Sequence, residues 1–364
     1  LGTFTSNAWL FGPRTDVLVF AGSALFSVAL CLLGPALGVG SDTPLWAWFL
    51  LVLCVDVAHV WATLFRVYLD KEEVRRRSGL YLAAPLGAFL IGVLAYQISA
   101  GFFWSVFAYT AVWHFIRQQV GWMVLYGRRA QLPTLDVRLD AAAIYASTLG
   151  PVVWWHANLP RPFWWFFEND FIGGLPHEVG TAALAVHATV LATWLLRQAV
   201  NLRAGRNAPI GRWLLLVATW VVWFGGIAWA KDDYAFTVMN VVLHGVPYFA
   251  LLYTYAKSRW KEGGYGRWAL MLRAGLPAFM TFLIALAFLE ELLWDTLVWH
   301  ERPQLFGEPG LHLPPALMAL VVPLLALPQA THYVLDGFIW RTRDDPSLRD
   351  RIFPTAAPVS EGAK

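Results

Sequence analysis

Apolar residues in this chain come in runs of about 20, each closed by a short polar or Gly/Pro-rich break. A helix of that length crosses a hydrocarbon core of ~30 Å. The pattern predicts spans near 16–38, 44–66, 80–98, 102–127, 138–158, 179–200, 211–230, 235–256, 268–292 and 314–340. Breaks such as Gly38-Val39-Gly40-Ser41-Asp42, Gly205-Arg206-Asn207-Ala208-Pro209 and Lys261-Glu262-Gly263-Gly264 separate them. Gly150-Pro151 is expected to interrupt the fifth span. Pro323 and Pro328 are expected to kink or break the last, which membrane helices tolerate where neighbours satisfy the freed carbonyls. The fold class expected is all-α: a polytopic integral membrane helix bundle of about ten transmembrane helices, one transmembrane domain over residues 1–364 with no soluble domain appended.

Composition supports this and charge orients it. Hydrophobic residues make up 58% and charged residues only 14%, against about 25% charged in soluble domains. The 21 tryptophans fit anchoring at headgroup depth. The run Pro160-Arg161-Pro162-Phe163-Trp164-Trp165-Phe166-Phe167 is expected to lie in the outer interface as such an anchor. Cys31 and Cys54 fall inside spans, so no disulfide framework is implied. With a cytoplasmic N-terminus, only Arg161, Lys231 and Arg302 of the 27 lysines and arginines face outward, as the positive-inside rule requires. Both termini are therefore expected in the cytoplasm, and the location expected is a bacterial inner membrane.

The candidate chemistry lies in histidines. His59, His114, His187, His244 and His332 sit inside the second, fourth, sixth, eighth and tenth spans, which all run in the same direction. Their separation from the basic residues that close those spans puts them ~10–21 Å above the inner boundary at 1.5 Å per residue. Ionisable side chains in the bilayer are expensive and mark functional sites. Four of the five have a polar residue on the same helix face at i, i+3 or i, i+4: Asp56 with His59, Gln118 with His114, Tyr248 with His244, and Asp336 with His332. A metal-bound imidazole commonly gives its other N–H to such a group. His187, flanked by apolar residues, fits the commoner role of a lone membrane histidine, which is packing. The expected metal ligands are His59, His114, His244 and His332, with Gln118 as a further ligand. Asp56 or Asp336 would act as a base, and Tyr248 or Tyr333 as a hydrogen-bond donor to bound oxygen. No residue is singled out for an organic cofactor.

Outside this layer, His156, His177, His300 and His312 lie in or near outer loops with Glu168, Asp170, Glu178, Glu301 and Glu308, where a solvated surface is expected rather than a second metal site. Glu290, Glu291 and Asp295 close the ninth span and are expected to meet water. Arg117 is expected to snorkel.

Asp56-Val57-Ala58-His59 and the isolated membrane histidines His114, His244 and His332 resemble the Brp/Blh family of bacterial membrane proteins. That resemblance, confined to scattered motifs, implies a four-histidine iron centre and the oxidative cleavage of β-carotene to retinal. The chain departs from that family, and from fatty-acid desaturases and hydroxylases, in having no HxxxH.

Together these features point to an integral membrane metalloenzyme, a non-haem iron oxygenase or oxidoreductase acting on a lipid or isoprenoid, with zinc or manganese as the other metals such ligands suit. O₂ is the co-substrate, and membrane lipids, a hydrophobic small molecule and an electron donor are the expected partners; nucleic acid is not. Two rivals use the same residues: a transporter or proton-coupled channel with His/Asp relay groups, and a b-type haem electron carrier. A retinal receptor is disfavoured because no lysine lies within a span to form a Schiff base.

Overall fold

The computed structural model of the chain describes residues 4–5, 8–206, 208–308, 311–341 and 345–352. They form a polytopic helix bundle, almost entirely helical apart from a two-residue parallel pairing of Phe4–Thr5 with Ala208–Pro209. Among the described residues eight helices are long and apolar enough to cross a membrane: α1 (Pro13–Leu33), α2 (Leu45–Phe65), α3 (Ser78–Ile98), α6 (His177–Arg203), α7 (Ile210–Trp229), α8 (Asp233–Lys261), α9 (Leu276–Trp299) and α10 (Pro315–Ile339). Two more, α4 (Ala100–Arg129, 30 residues) and α5 (Thr134–His156, 23 residues), fall at the expected fourth and fifth spans. Their polar residues lower the hydropathy, but at 1.5 Å per residue both exceed the ~30 Å core.

α8 is the central post. About 78% of its apolar stretch is buried, against 17% for α3 and α6, which turn rows of leucines outward. Leu82, Leu86 and Leu90 of α3 and Leu196 of α6 are more than half exposed. A surface of that kind is stable only against lipid.

Two proline expectations come out differently. α10 breaks at Ala326, between a Pro315–Leu325 segment and a Leu327–Ile339 segment, with Pro323 and Pro328 on either side. α5 instead runs without interruption through Gly150-Pro151. There the small residue is needed for packing: a Cβ on Gly150 would lie 3.2 Å from the Cβ of His187 on α6.

α2 carries three windings in one span. Trp48–Val57 is wound wide in i→i+5 fashion, Ala58–Ala62 is α-helical and Thr63–Phe65 tightens to a 3₁₀ turn. Wide turns inside helices concentrate at functional sites; this one carries Asp56 and ends just before His59. Across from it, Gly245 on α8 admits the α2 backbone: a Cβ there would sit 2.6 Å from Val55 Cγ1 and 3.0 Å from the Val55 carbonyl. That approach is what sets His244 beside His59.

Candidate metal centre

His59, His114, His244 and His332, one each from α2, α4, α8 and α10, converge. One nitrogen from each ring lies within 4.8 Å of those of the other three, and all four side chains are buried. The rings alternate around a closed circuit. Centroids are 4.5 Å apart for His59–His244, 5.1 Å for His244–His114, 4.6 Å for His114–His332 and 5.0 Å for His332–His59. Neighbouring rings are steeply inclined, at 68–88°, so nitrogens rather than ring faces turn inward.

These nitrogens are unspent. Both ring nitrogens of His59 and His244, and Nε2 of His114 and His332, have no hydrogen-bond partner. A buried unpaired polar group costs about 1–3 kcal/mol, and four imidazoles crowding their lone pairs together would be hard to maintain without a bound group. A first-row ion bonds histidine nitrogen at ~2.0–2.1 Å, so a 4.8 Å spread needs only a small inward adjustment. The donor chemistry, the convergence and the orphaned nitrogens all fit a divalent ion.

Around the rings, hydrogen bonds fix orientation. The Thr63 hydroxyl and His332 Nδ1 share a bond of 2.8 Å, and Thr63 is 3.0 Å from the Tyr248 hydroxyl. Tyr248 donates to Asp336 Oδ1 at 2.7 Å, and Trp340 Nε1 donates to the same oxygen at 3.2 Å. Asp336 in turn lies 3.8 Å from His332 Nδ1 and 4.0 Å from His114 Nε2. Asp56 Oδ1 is 3.7 Å from His59 Nδ1 and has no hydrogen bond. Tyr333 stacks on His114 at 4.8 Å. Gln118 lies one turn beyond His114, both amide atoms buried and unpartnered.

His187 stands apart, as a packing residue should. Trp220 Nε1 donates to its Nε2 at 3.2 Å, and its ring rests 4.8 Å from Phe224.

Aromatic stacks seal the site. His244 lies flat on Phe115, centroids 3.4 Å apart, and Phe115 meets Trp165 at 5.0 Å. The stack on His114 continues from Tyr333 to Phe107 and on to Phe166. Trp165 and Phe166 belong to the Pro160–Phe167 run. That run is therefore only partly the surface anchor expected: Trp164 and Phe167 are exposed, while Phe163 is buried against Trp155 and Phe236. Asp170 is buried too and holds the turn by accepting the backbone N–H groups of Trp165, Phe166 and Phe167.

Two other expectations are corrected. Glu290 and Asp295 are buried rather than wetted. Trp61 Nε1 donates to Glu290 at 2.7 Å, and Asp295 accepts the N–H groups of Glu301 and Arg302, because α9 packs these residues inward and the following loop folds over them. His156 is also buried, its Nδ1 donating to the Val152 carbonyl and its Nε2 2.9 Å from the Tyr109 hydroxyl. Arg117 is exposed and donates to the Tyr145 hydroxyl. Among the described residues no second group of three or more metal-type side chains converges.

Thr63, Phe115 and the Trp165–Phe166 cap were not foreseen. Thr63 sits one turn from His59 on α2 and carried a usable signal; Phe115 and the cap depend on contacts distant in sequence. No protein-family model, curated protein or solved structure matches the chain.

Proposed function

We propose that this chain is an intramembrane metalloenzyme whose four histidines, His59, His114, His244 and His332, hold a non-haem iron used to oxidise a lipid or isoprenoid. The observation that carries this reading is the convergence of four buried imidazoles with unspent nitrogens. Four ligands on zinc would close its usual tetrahedral shell, whereas iron accepts six ligands and keeps positions for a reaction, so iron is preferred. Bound there, the metal would supply O₂ activation. The protein's own residues would do the rest. Thr63, Tyr248 and Asp336 hold the His332 ring. Phe115, Tyr333 and the aromatic cap exclude water, which protects reactive species. A haem is disfavoured, since the four rings stand 4.5–5.1 Å apart around the circuit and a macrocycle held between two of them would collide with the other two.

The bundle around this centre is read as ten spans in one transmembrane domain with both termini cytoplasmic, from the basic-residue asymmetry and the ten long helices. The resemblance of the Asp56–His59 motif to Brp/Blh proteins supports oxidation of an isoprenoid chain. The test is oxygen uptake by iron-loaded protein given total membrane lipid. Uptake that needs iron, yields an oxygenated lipid and disappears in His244→Ala is expected; iron-loaded protein consuming no oxygen with any lipid fraction would overturn the reaction assigned.

One observation favours a second reading. Glu290 and Asp295, buried on α9, extend the polar residues beyond the histidine level, as a proton relay requires. Proton flux in vesicles that survives metal removal and is lost in Glu290→Gln would select it.

A further inference from the structure

An apolar cavity of about 270 Å³ opens beside the centre, between α2, α3 and α10, and His332 forms part of its wall. It lies along the break in α10. Pro323 packs close to α3, where a Cβ on Gly92 would lie 3.0 Å from the proline ring. Past Ala326, Pro328 and Leu335 of α10 line the gap together with Val60 and Leu64 of α2 and Pro85 of α3. Leu324, in the cavity wall, is 55% exposed and marks its mouth.

The polar groups in the wall are few, and all but two are already committed. Trp61 donates to Glu290, Tyr68 donates to the Tyr81 carbonyl, and Thr63 is bonded to Tyr248 and His332. That leaves His332 Nε2, which belongs to the histidine cluster, and the hydroxyl of Thr331. Thr331 is only 7% exposed and its hydroxyl has no partner. No lysine or arginine lines the cavity, so a carboxylate or phosphate would be buried there without compensation, at high cost.

We infer that this cavity binds a neutral long-chain lipid through a terminal hydroxyl or aldehyde oxygen, hydrogen-bonded to Thr331 beside His332, with the tail leaving past Leu324 into the bilayer. At ~30 Å³ per water-sized group, the cavity holds about nine groups, the inner end of a chain and not a whole one. The inference rests on the proposed function for what becomes of the lipid, not for the binding itself.

Binding is measured on full-length protein in nanodiscs with tritiated 1-hexadecanol, competed by hexadecanal, hexadecane or palmitate, alongside metal content. Hexadecanol should bind saturably, with hexadecanal competing, hexadecane weaker by about tenfold, the worth of one hydrogen bond, and palmitate weaker still because its charge is left uncompensated. Leu324→Trp, at an exposed position, should cut binding at least tenfold while melting temperature and metal content stay as in the wild type. Thr331→Val should keep chain binding and lose the preference for alcohol over alkane. Equal binding in Leu324→Trp, or an undiminished alcohol preference in Thr331→Val, overturns the inference. Metal-free protein that still binds hexadecanol upholds it and counts against the proposed function alone; metal-loaded protein that binds no hexadecanol overturns it and leaves that function standing.

Discussion

Two buried polar clusters lie within a few helical turns of each other, and they are opposites. At the C-terminal ends of α2, α8 and α10, Arg66 is fully buried yet bonded to Tyr255, the Ile339 carbonyl, Glu73 and Asp345. Beside it Asp70 receives two hydrogen bonds from Arg259, at 2.6 and 2.9 Å, while its Oδ1 caps the Lys71–Arg76 helix. Charge meets charge, and each carboxylate has a guanidinium partner, with Arg66 Nε the atom of that side chain left without a hydrogen bond. Two to three turns away on the same helices, His59, His244 and His332 turn nitrogens without hydrogen-bond partners towards one another. A closed network reads as architecture and an open one as a site. The first clamps the ends of three helices that carry the second.

The largest effect expected from testing this contrast is at Arg66. Arg66→Met takes the buried cation away from Glu73 and Asp345 and leaves both to the more exposed Arg76, and breaking a buried pair costs about 3–5 kcal/mol. The melting temperature in detergent should fall sharply, while the protein that remains folded keeps its metal. Gly245→Ala comes next. It forces α2 away from α8, an overpacking cost of about 1–3 kcal/mol, and unlike Arg66→Met it should lower metal content per folded molecule. Tyr248→Phe removes the link between Asp336 and Thr63. Loss of such a supporting bond weakens metal affinity about 10–100-fold, which chelator competition would read with little change in melting.

A smaller effect is expected from pH. Burial pushes the Asp70 carboxyl up, but the Arg259 bonds and the helix-capping N–H groups outweigh it and hold it below its usual 3.8. Asp345 is likewise held low against burial by Ser347 and Arg76. A depressed carboxylate stabilises the fold above its unfolded value and loses that contribution as pH falls through the folded one. Melting temperature should therefore hold above about pH 4 and drop below it, with a shallower drop in Asp70→Asn. Smallest of all is His187→Phe. It removes one hydrogen bond, worth about 0.5–1.5 kcal/mol, and should leave metal content unchanged; a fall in bound metal would bring α6 into the site.

Much of this was legible in the sequence. Apolar run length located the eight long apolar helices among the described residues, and a polar residue one turn away picked out the four membrane histidines that meet. His187 was separable because no polar residue shares its helix face. What escaped depended on contacts between distant segments. Nothing local to Phe115 says that it will lie on His244, and nothing in Glu290 says that α9 turns inward rather than towards water. Gly150-Pro151 looks like a break when read along the chain, yet it is a close contact once α6 is set against α5. Pro323 and Pro328 were read correctly because the steric rule that breaks α10 is local.

The central claim is that the four histidines share one metal ion, and stoichiometry tests it most directly. Metal content by mass spectrometry is compared for the wild-type protein and the four single His→Ala variants at His59, His114, His244 and His332, with His187→Ala as the control. The account predicts about one ion per chain in the wild type and in His187→Ala, and substoichiometric metal in each of the four. Wild-type protein that stays free of metal after loading, or four variants that all retain it, would contradict the account.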